Sequence, residues 1–210
     1  MSIHKYWATV YAPLIYALNT QVQGATATGY VMQIELTPAM CALNPSQSKQ
    51  RKCLEGYSLN IAGLYREHFS SDCRTTSSAN LPLLQAKVVA RVMPDEAARV
   101  ALWRNIGGCV AMNASQYFRT IINYADRLKV PNDLSQPETY QVSGSYIQQR
   151  FLKLNPQLPA KAIQFQCQQQ RKTTYLTQIQ VCYRSNGQYK ACPTQVRSNC
   201  PNHYHIKGAY

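Results

Sequence analysis

The chain has 210 residues, of which 45% are hydrophobic and 15% are charged, and its formal net charge is +13. This composition is typical of a globular protein and argues against a disordered one. Polar residues interrupt every apolar run well before about 18 positions, so we expect no membrane span. The start, MSIHKYWATVYAPLIYALNTQ, has no clean apolar core followed by a cleavage site. We interpret it as a start from which any signal peptide is already removed.

The charges are unevenly distributed. All nine acidic residues lie at or before Glu138, whereas residues 139–210 contain nine Lys or Arg and no Asp or Glu. Such a segment attracts polyanions, including RNA, DNA, anionic glycans and membrane surfaces. The alternative is a solvated basic surface that aids solubility.

Eight cysteines are spaced irregularly along the chain. None forms a CxxC pair, and with only four histidines we expect no zinc site, no other metal and no cofactor. The even count predicts four disulfides in an oxidising compartment, the periplasm or the cell exterior. Eight cysteines allow 105 pairings, and their spacing does not choose between them. The alternative is a set of buried free thiols in a cytosolic protein.

The first half of the chain combines strands, loops and helices. Residues 27–36 predict a strand, 38–53 a polar loop closed by two cysteines, and 57–64 a second strand. A Ser- and Thr-rich loop comes next, at 66–80. Residues 82–104 have helical spacing interrupted at Val92-Met93-Pro94, where proline should end one helix and open the next.

The second half begins with the clearest helix, 113–128, in which Asn113 or Ser115 is the candidate N-cap. A shorter helix is predicted at 145–154. Residues 162–170 and 174–184 alternate between apolar and polar side chains and predict two strands, and SNGQ after the second strand predicts a turn. Glutamines occupy the polar faces of these strands: Gln164, Gln166, Gln168, Gln178 and Gln180. The order of elements predicts one α+β domain with a central antiparallel sheet and flanking helices.

Several of these pieces resemble the ribonuclease T2 family of secreted acid endoribonucleases. GYVMQIELTPAMC resembles the family's first core strand and first cysteine, and SLNIAGLYRE resembles its first catalytic motif, Thr-Ile-His-Gly-Leu-Trp-Pro. LWRNIGGC resembles the second motif, Trp-Arg-His-Glu-x-x-Lys-His-Gly-Thr-Cys. SQYFRTIINYADRL resembles the helix after it, and IQVCYRSNGQYKACP the closing hairpin. The resemblance covers about residues 27–200 of a single domain 1–210, with 1–26 as an N-terminal arm.

The resemblance implies both a disulfide pattern and a chemistry. The implied pairs are Cys41–Cys53, Cys73–Cys109, Cys167–Cys200 and Cys182–Cys192. In the family's reaction one His deprotonates the ribose 2′-hydroxyl and another protonates the leaving 5′-oxygen. A Glu with a Lys or His stabilises the phosphorane, and no metal takes part.

This sequence departs from the family at each of those positions. Ala62 stands where the first catalytic His is expected. The second motif is four residues shorter, about one helical turn. Between Trp103 and Cys109 it contains only Arg104 and the degenerate positions Asn105, Ile106, Gly107 and Gly108, with no His, Glu or Lys. We therefore expect that the original catalysis is lost.

Three functions remain open at this level. The first is a pseudoenzyme that binds RNA or another polyanion, with Tyr65, Arg66, His68 and Arg104 at the old cleft. The second is a scaffold for an envelope or extracellular protein, for which the glutamine faces offer polar contacts. The third is a weak residual endoribonuclease that acts on single-stranded RNA. A surface position explains His68 and Arg104 as well, Trp103 is expected in the core, and His203-Tyr204-His205 is expected in an exposed tail.

Overall fold

A computed structural model describes residues 29–67 and 72–208. The strands are β1 (Tyr30–Leu36), β2 (Leu59–Arg66), β3 (Tyr140–Ser143), β4 (Ile163–Gln170), β5 (Thr173–Tyr183) and β6 (His203–Ile206). The helices are α1 (Thr37–Leu43), α2 (Arg51–Leu54), α3 (Leu83–Ala90), α4 (Glu96–Ile106), α5 (Ala114–Arg127) and α6 (Gly144–Leu154). The mixed α+β architecture predicted from the sequence is confirmed.

The six strands form one sheet centred on the long strand β5. Its order is β2-β1-β5-β6-β3, and β4 also pairs with β5. All pairings are antiparallel except that of β5 with β6, which are parallel where Tyr175 meets His205. Because β5 is eleven residues long, different parts of it can pair with β4, β1 and β6. It thereby connects strands from the beginning and the end of the described part of the chain.

The apolar core lies between the sheet and the helices. Strand side chains such as Met32, Ile179 and Val181 are fully buried on one face, and Phe118 and Ile121 of α5 pack in the same core. Helix α5 begins with a capping box, in which the Asn113 side chain accepts from the Gln116 amide and the Gln116 side chain accepts from Asn113 N–H. The structure therefore selects Asn113 rather than Ser115 as the cap.

Four disulfides connect distant parts of the fold, as predicted. They join Cys41 to Cys53, Cys73 to Cys109, Cys167 to Cys200 and Cys182 to Cys192. These are the pairs that the family resemblance implied. Four disulfides in a chain of this kind fit an oxidising compartment. In the part of the chain that the structure describes, no helix is both long and apolar enough to span a membrane.

Two sequence predictions are wrong about local structure. Residues 38–53 contain two short helices, α1 and α2, rather than only a polar loop. Pro38 opens α1 at a position where proline's fixed φ favours a helix start. The segment His203-Tyr204-His205 is strand β6 rather than an exposed tail, and Tyr204 is buried. Four-residue strands such as β3 and β6 carry too little periodicity to be recognised without their partners.

Candidate functional site

Ala62 occupies a β-bulge in edge strand β2. In the pairing of β1 with β2, Gln33 is opposite Gly63 and Ile34 is opposite Ile61, so Ala62 is left without a partner. A bulge adds one residue to a strand and redirects a side chain, which is why bulges are frequent beside active sites. Here the redirected side chain is a methyl group that faces a cleft.

The Ala62 cleft has a volume of about 620 Å³. It lies between β2, helix α4 and the segment that leads into α2, and its lining includes Tyr65, Asn105 and Ile106. A volume of this size is sufficient for a nucleotide-sized ligand. The structure thus places a cleft of this size beside the methyl group of Ala62.

A buried ion pair lies in the wall of the cleft. Lys52 Nζ lies 2.7 Å from Glu35 Oε2, and the two side chains are only 7% and 12% exposed. The Asn60 amide also donates to Glu35 Oε2, at 3.0 Å. The Glu35 carboxylate therefore already accepts hydrogen bonds from two neighbours of opposite or neutral charge.

The second carboxylate of the cleft, that of Asp95, caps helix α2. Its oxygens accept from the backbone N–H groups of Arg51 and Lys52, the first two residues of that helix. A carboxylate at a helix N-terminus satisfies otherwise unpaired donors and interacts favourably with the helix dipole. Asp95 is thus engaged in holding α2 against α4.

Tyr65 and Arg74 are two further polar residues that line the cleft. Burial, and secondarily the negative charge of Glu35, raise the pKa of Tyr65 above its ordinary value. Tyr65 therefore stays protonated at neutral pH and can act as a hydrogen-bond donor. Arg74 is exposed and brings a positive charge to the cleft.

Gly107 and Gly108 lie in a closely packed turn after helix α4. Helix α4 ends at Ile106, and Gly107–Cys109 forms a tight turn that brings Cys109 to Cys73. A Cβ on Gly107 would lie 2.5 Å from a methyl of Thr75, and one on Gly108 would lie 2.6 Å from the Arg74 carbonyl oxygen. A side chain at position 107 or 108 would therefore require its neighbours to move.

The residues predicted to edge the cleft have different positions. Tyr65 lines it, whereas Arg66 and Arg104 are not among the lining residues. Arg66 Nη1 donates to the Cys109 carbonyl oxygen at 2.6 Å, and Arg104 is exposed on α4. His68 lies outside the described residues. Trp103 is buried, as expected for a core residue, and its indole N–H donates to Ser77.

Sequence reasoning missed four charged residues of the cleft: Glu35, Lys52, Arg74 and Asp95. The sequence offers one weak indication of Glu35 as a site residue: it is a charged residue between two apolar residues, Ile34 and Leu36, in a predicted strand. Lys52 lies in a segment that the sequence predicts as a loop, and only the tertiary structure pairs it with Glu35. The four charges sum to zero, so the cleft is not itself a basic site.

The sequence matches no protein-family model and no curated protein. Solved structures share its fold. Ribonuclease MC1 from bitter gourd seeds has a TM-score of 0.64 at 16% identity, covering 84% of this chain and 98% of that protein. The SF11-RNase of Nicotiana alata, associated with gametophytic self-incompatibility, has a TM-score of 0.61 at 15% identity, covering 83% and 95%.

An RNase-related protein from Calystegia sepium is similar at a TM-score of 0.60 and 15% identity, covering 86% of this chain and 97% of that one. A ribonuclease MC1 variant was solved in complex with 5′-UMP. These structures are ribonuclease T2-type folds. The fold of the present chain is therefore ribonuclease T2-like, with a central sheet, flanking helices and four disulfides.

Proposed function

We propose that this chain is a ribonuclease T2-like pseudoenzyme that binds RNA through a basic surface outside the cytoplasm. The observation that carries the proposal is the lining of the Ala62 cleft. Among the described residues, no histidine lines it, and both of its carboxylates are engaged, Glu35 by Lys52 and Asp95 by the backbone of α2. Transfer of the 2′-proton and of the proton to the leaving oxygen needs two such groups.

The charge distribution supports RNA as the ligand class. Six cations of the acid-free segment are exposed: Lys153, Lys161, Arg171, Lys172, Arg184 and Arg197. Arg150 and Lys190 of the same segment pair with Asp133 and Glu67. Exposed cations without a neighbouring carboxylate are available for phosphates. The MC1 variant with bound 5′-UMP is a structural neighbour with a nucleotide ligand.

The cleavage test uses end-labelled single-stranded RNA with excess oxidised protein, from about pH 4 to 8 with a chelator present. Intact RNA at every pH is expected. The Ala62→His variant should also leave the RNA intact, because a single restored base has no acid partner. Cleavage by the unmodified protein that disappears in His68→Ala would instead establish a residual ribonuclease. A contaminating nuclease would not respond to that substitution.

The binding test measures fluorescence anisotropy of labelled RNA between about 50 and 200 mM salt, where phosphate contacts weaken steeply. We expect Arg171→Gln, Lys172→Gln and Arg184→Gln together to weaken binding strongly. The matched control neutralises three exposed cations outside the acid-free segment, Lys87, Arg119 and Lys129. Equal losses in both triple variants would show that net charge alone is responsible and would contradict a defined surface.

A protein scaffold is the second candidate, and one feature of α3 favours it. Leu83 and Leu84 are 72% and 77% exposed, and Val88, one turn after Leu84, is also exposed. Apolar side chains grouped on one helix are typical of a protein contact. Recovery of a stoichiometric partner that is lost in Leu84→Lys, with RNA binding absent, would favour this function over the first.

A further inference from the structure

A second concave site, which shares no lining residue with the Ala62 cleft, lies on the polar face of the sheet. Its lining includes Gln166 of β4, Gln178 and Gln180 of β5, Met40 of α1 and Arg197, and its volume is about 410 Å³. We call it the glutamine groove. The alternation along β5 explains its polarity, because Ile179 and Val181 point into the core while Gln178 and Gln180 occupy the opposite face.

The glutamine side chains form a hydrogen-bonded chain across three strands. Gln166 Nε2 donates to Gln180 Oε1 at 3.1 Å, and Gln180 Nε2 donates to Gln178 Oε1 at 3.4 Å. Gln178 Nε2 in turn donates to Gln33 Oε1 of β1 at 3.3 Å. Each amide retains further donor or acceptor capacity, since a primary amide offers two hydrogens and two lone pairs. The groove thus presents a row of hydrogen-bonded amides, in which Gln166 donates both of its hydrogens within the protein and keeps acceptor capacity.

Hydrogen bonds also hold residues 197–199, which form one wall of the glutamine groove, against strand β4. Gln166 Nε2 also donates to the Arg197 carbonyl oxygen at 2.8 Å, and the Asn199 side chain bonds both the N–H and the carbonyl of Cys167. The Cys167–Cys200 disulfide fixes the end of this segment. Preorganised polar groups of this kind lose little entropy when a ligand binds.

The charge of the groove differs from that of the cleft. No carboxylate is among its described lining residues, and Arg197 is exposed at its edge. The Ala62 cleft, in contrast, contains Glu35 and Asp95. Glu35 lies opposite Gln178 in the register of β1 and β5, and its charge is paired with that of Lys52. A polyanion therefore meets no carboxylate among the residues that line the glutamine groove, whereas two carboxylates line the cleft.

From these observations we infer that the glutamine groove is a binding site for single-stranded RNA, with base edges on the glutamine amides and a phosphate on Arg197. Amide side chains can pair bidentately with base edges, and unpaired bases expose those edges. An arginine at the rim suits a phosphate. The inference rests on the proposed function and assigns its ligand contact to the glutamine groove rather than to the Ala62 cleft.

The test compares two strands in anisotropy titrations with the oxidised full chain. One is a short single-stranded RNA, and the other is an abasic strand with the same number of phosphates. We expect Gln178→Met with Gln180→Met to weaken RNA binding about 5- to 100-fold and to leave the abasic strand unaffected. Arg197→Gln should weaken binding of both strands and reduce the salt slope by about one.

The matched control is Gln47→Met with Gln50→Met, the same chemical change in two residues that line the Ala62 cleft. We expect it to leave RNA affinity unchanged. Circular dichroism and urea midpoints establish that every variant is folded. Loss of affinity in the cleft pair but not in the groove pair would overturn the groove assignment and leave RNA binding intact. No binding by the unmodified protein would overturn the proposed function and the groove together.

Discussion

The hydroxyl of Tyr117 forms hydrogen bonds with both backbone groups of Leu64. It accepts from Leu64 N–H at 2.9 Å and donates to the Leu64 carbonyl at 3.1 Å. Leu64 lies on β2, an edge strand, whose outer backbone groups would otherwise be unpaired in the protein interior. Ile61 N–H of the same strand is satisfied by the Val92 carbonyl. The bulge that carries Ala62 is therefore held from outside the sheet at two points.

Tyr117→Phe should destabilise the fold by about 1–3 kcal/mol, because it leaves a buried N–H and a buried carbonyl without partners while preserving the ring. Urea unfolding of the oxidised protein measures this change. Tyr146→Phe is the control, since the Tyr146 hydroxyl bonds Asp133 at an exposed position. A midpoint shift no larger than that of the control would show that water replaces the Tyr117 hydroxyl.

Lys52→Met should destabilise the protein by about 3 kcal/mol, because it leaves the nearly buried Glu35 carboxylate without its counter-charge. Adding Glu35→Leu should recover most of that loss, since two apolar side chains can replace a buried pair. Glu55→Gln serves as the surface comparison, because the Arg51–Glu55 pair is largely exposed. Additive losses in the Lys52 and Glu35 variants would contradict a coupled pair.

Gly108→Ala should destabilise the protein by about 1–3 kcal/mol, because its new Cβ would lie 2.6 Å from the Arg74 carbonyl oxygen, a backbone atom that cannot easily move. The yield of the Cys73–Cys109 disulfide after oxidative refolding should also fall. Asn105→Ala, an exposed change near the end of helix α4, should leave both quantities unaltered. Normal yield and stability in Gly108→Ala would show that the turn has space for a side chain.

Alkaline pH should destabilise the fold through its buried tyrosines. Burial, followed by the charges of Asp133 and Tyr146, raises the pKa of Tyr140 to about 12; burial also raises the pKa values of Tyr117, Tyr183 and Tyr204. Because the folded state keeps these phenols neutral, their contribution is complete below about pH 10, the ordinary tyrosine value. The contribution of Tyr140 is lost as the pH rises from about 10 through about 12, since the unfolded chain releases its protons first, and the contributions of the other three are lost at still higher pH.

Urea midpoints at increasing pH measure this loss, and phenolate absorbance reports the ionisation itself. In Tyr140→Phe the dependence of stability on pH above about 10 should be shallower, because one shifted group is gone. An unchanged slope would mean that Tyr140 ionises alike in the folded and unfolded states.

A helix or strand can be predicted from the sequence where its own residues show a clear hydrophobic period. Helix α5 is predictable because its apolar positions repeat with the helical period, and the break at Pro94 separates α3 from α4 as proline geometry requires. The alternation in β4 and β5 likewise predicts two strands. The same reasoning fails for α1 and α2, since Pro, Ser and Asn favour loops and helix starts alike.

The supply of chemical groups can be stated from the sequence alone: a methyl group at position 62, no His, Glu or Lys between Trp103 and Cys109, eight cysteines, and no acidic residue in the final segment, 139–210. These are properties of composition and order. Which of these groups come into contact depends on the tertiary fold. The bulge at Ala62, the Lys52–Glu35 pair and the row of Gln166, Gln180, Gln178 and Gln33 each join residues from different elements. Contacts of this kind depend on strand register and helix packing, which no local stretch of sequence encodes.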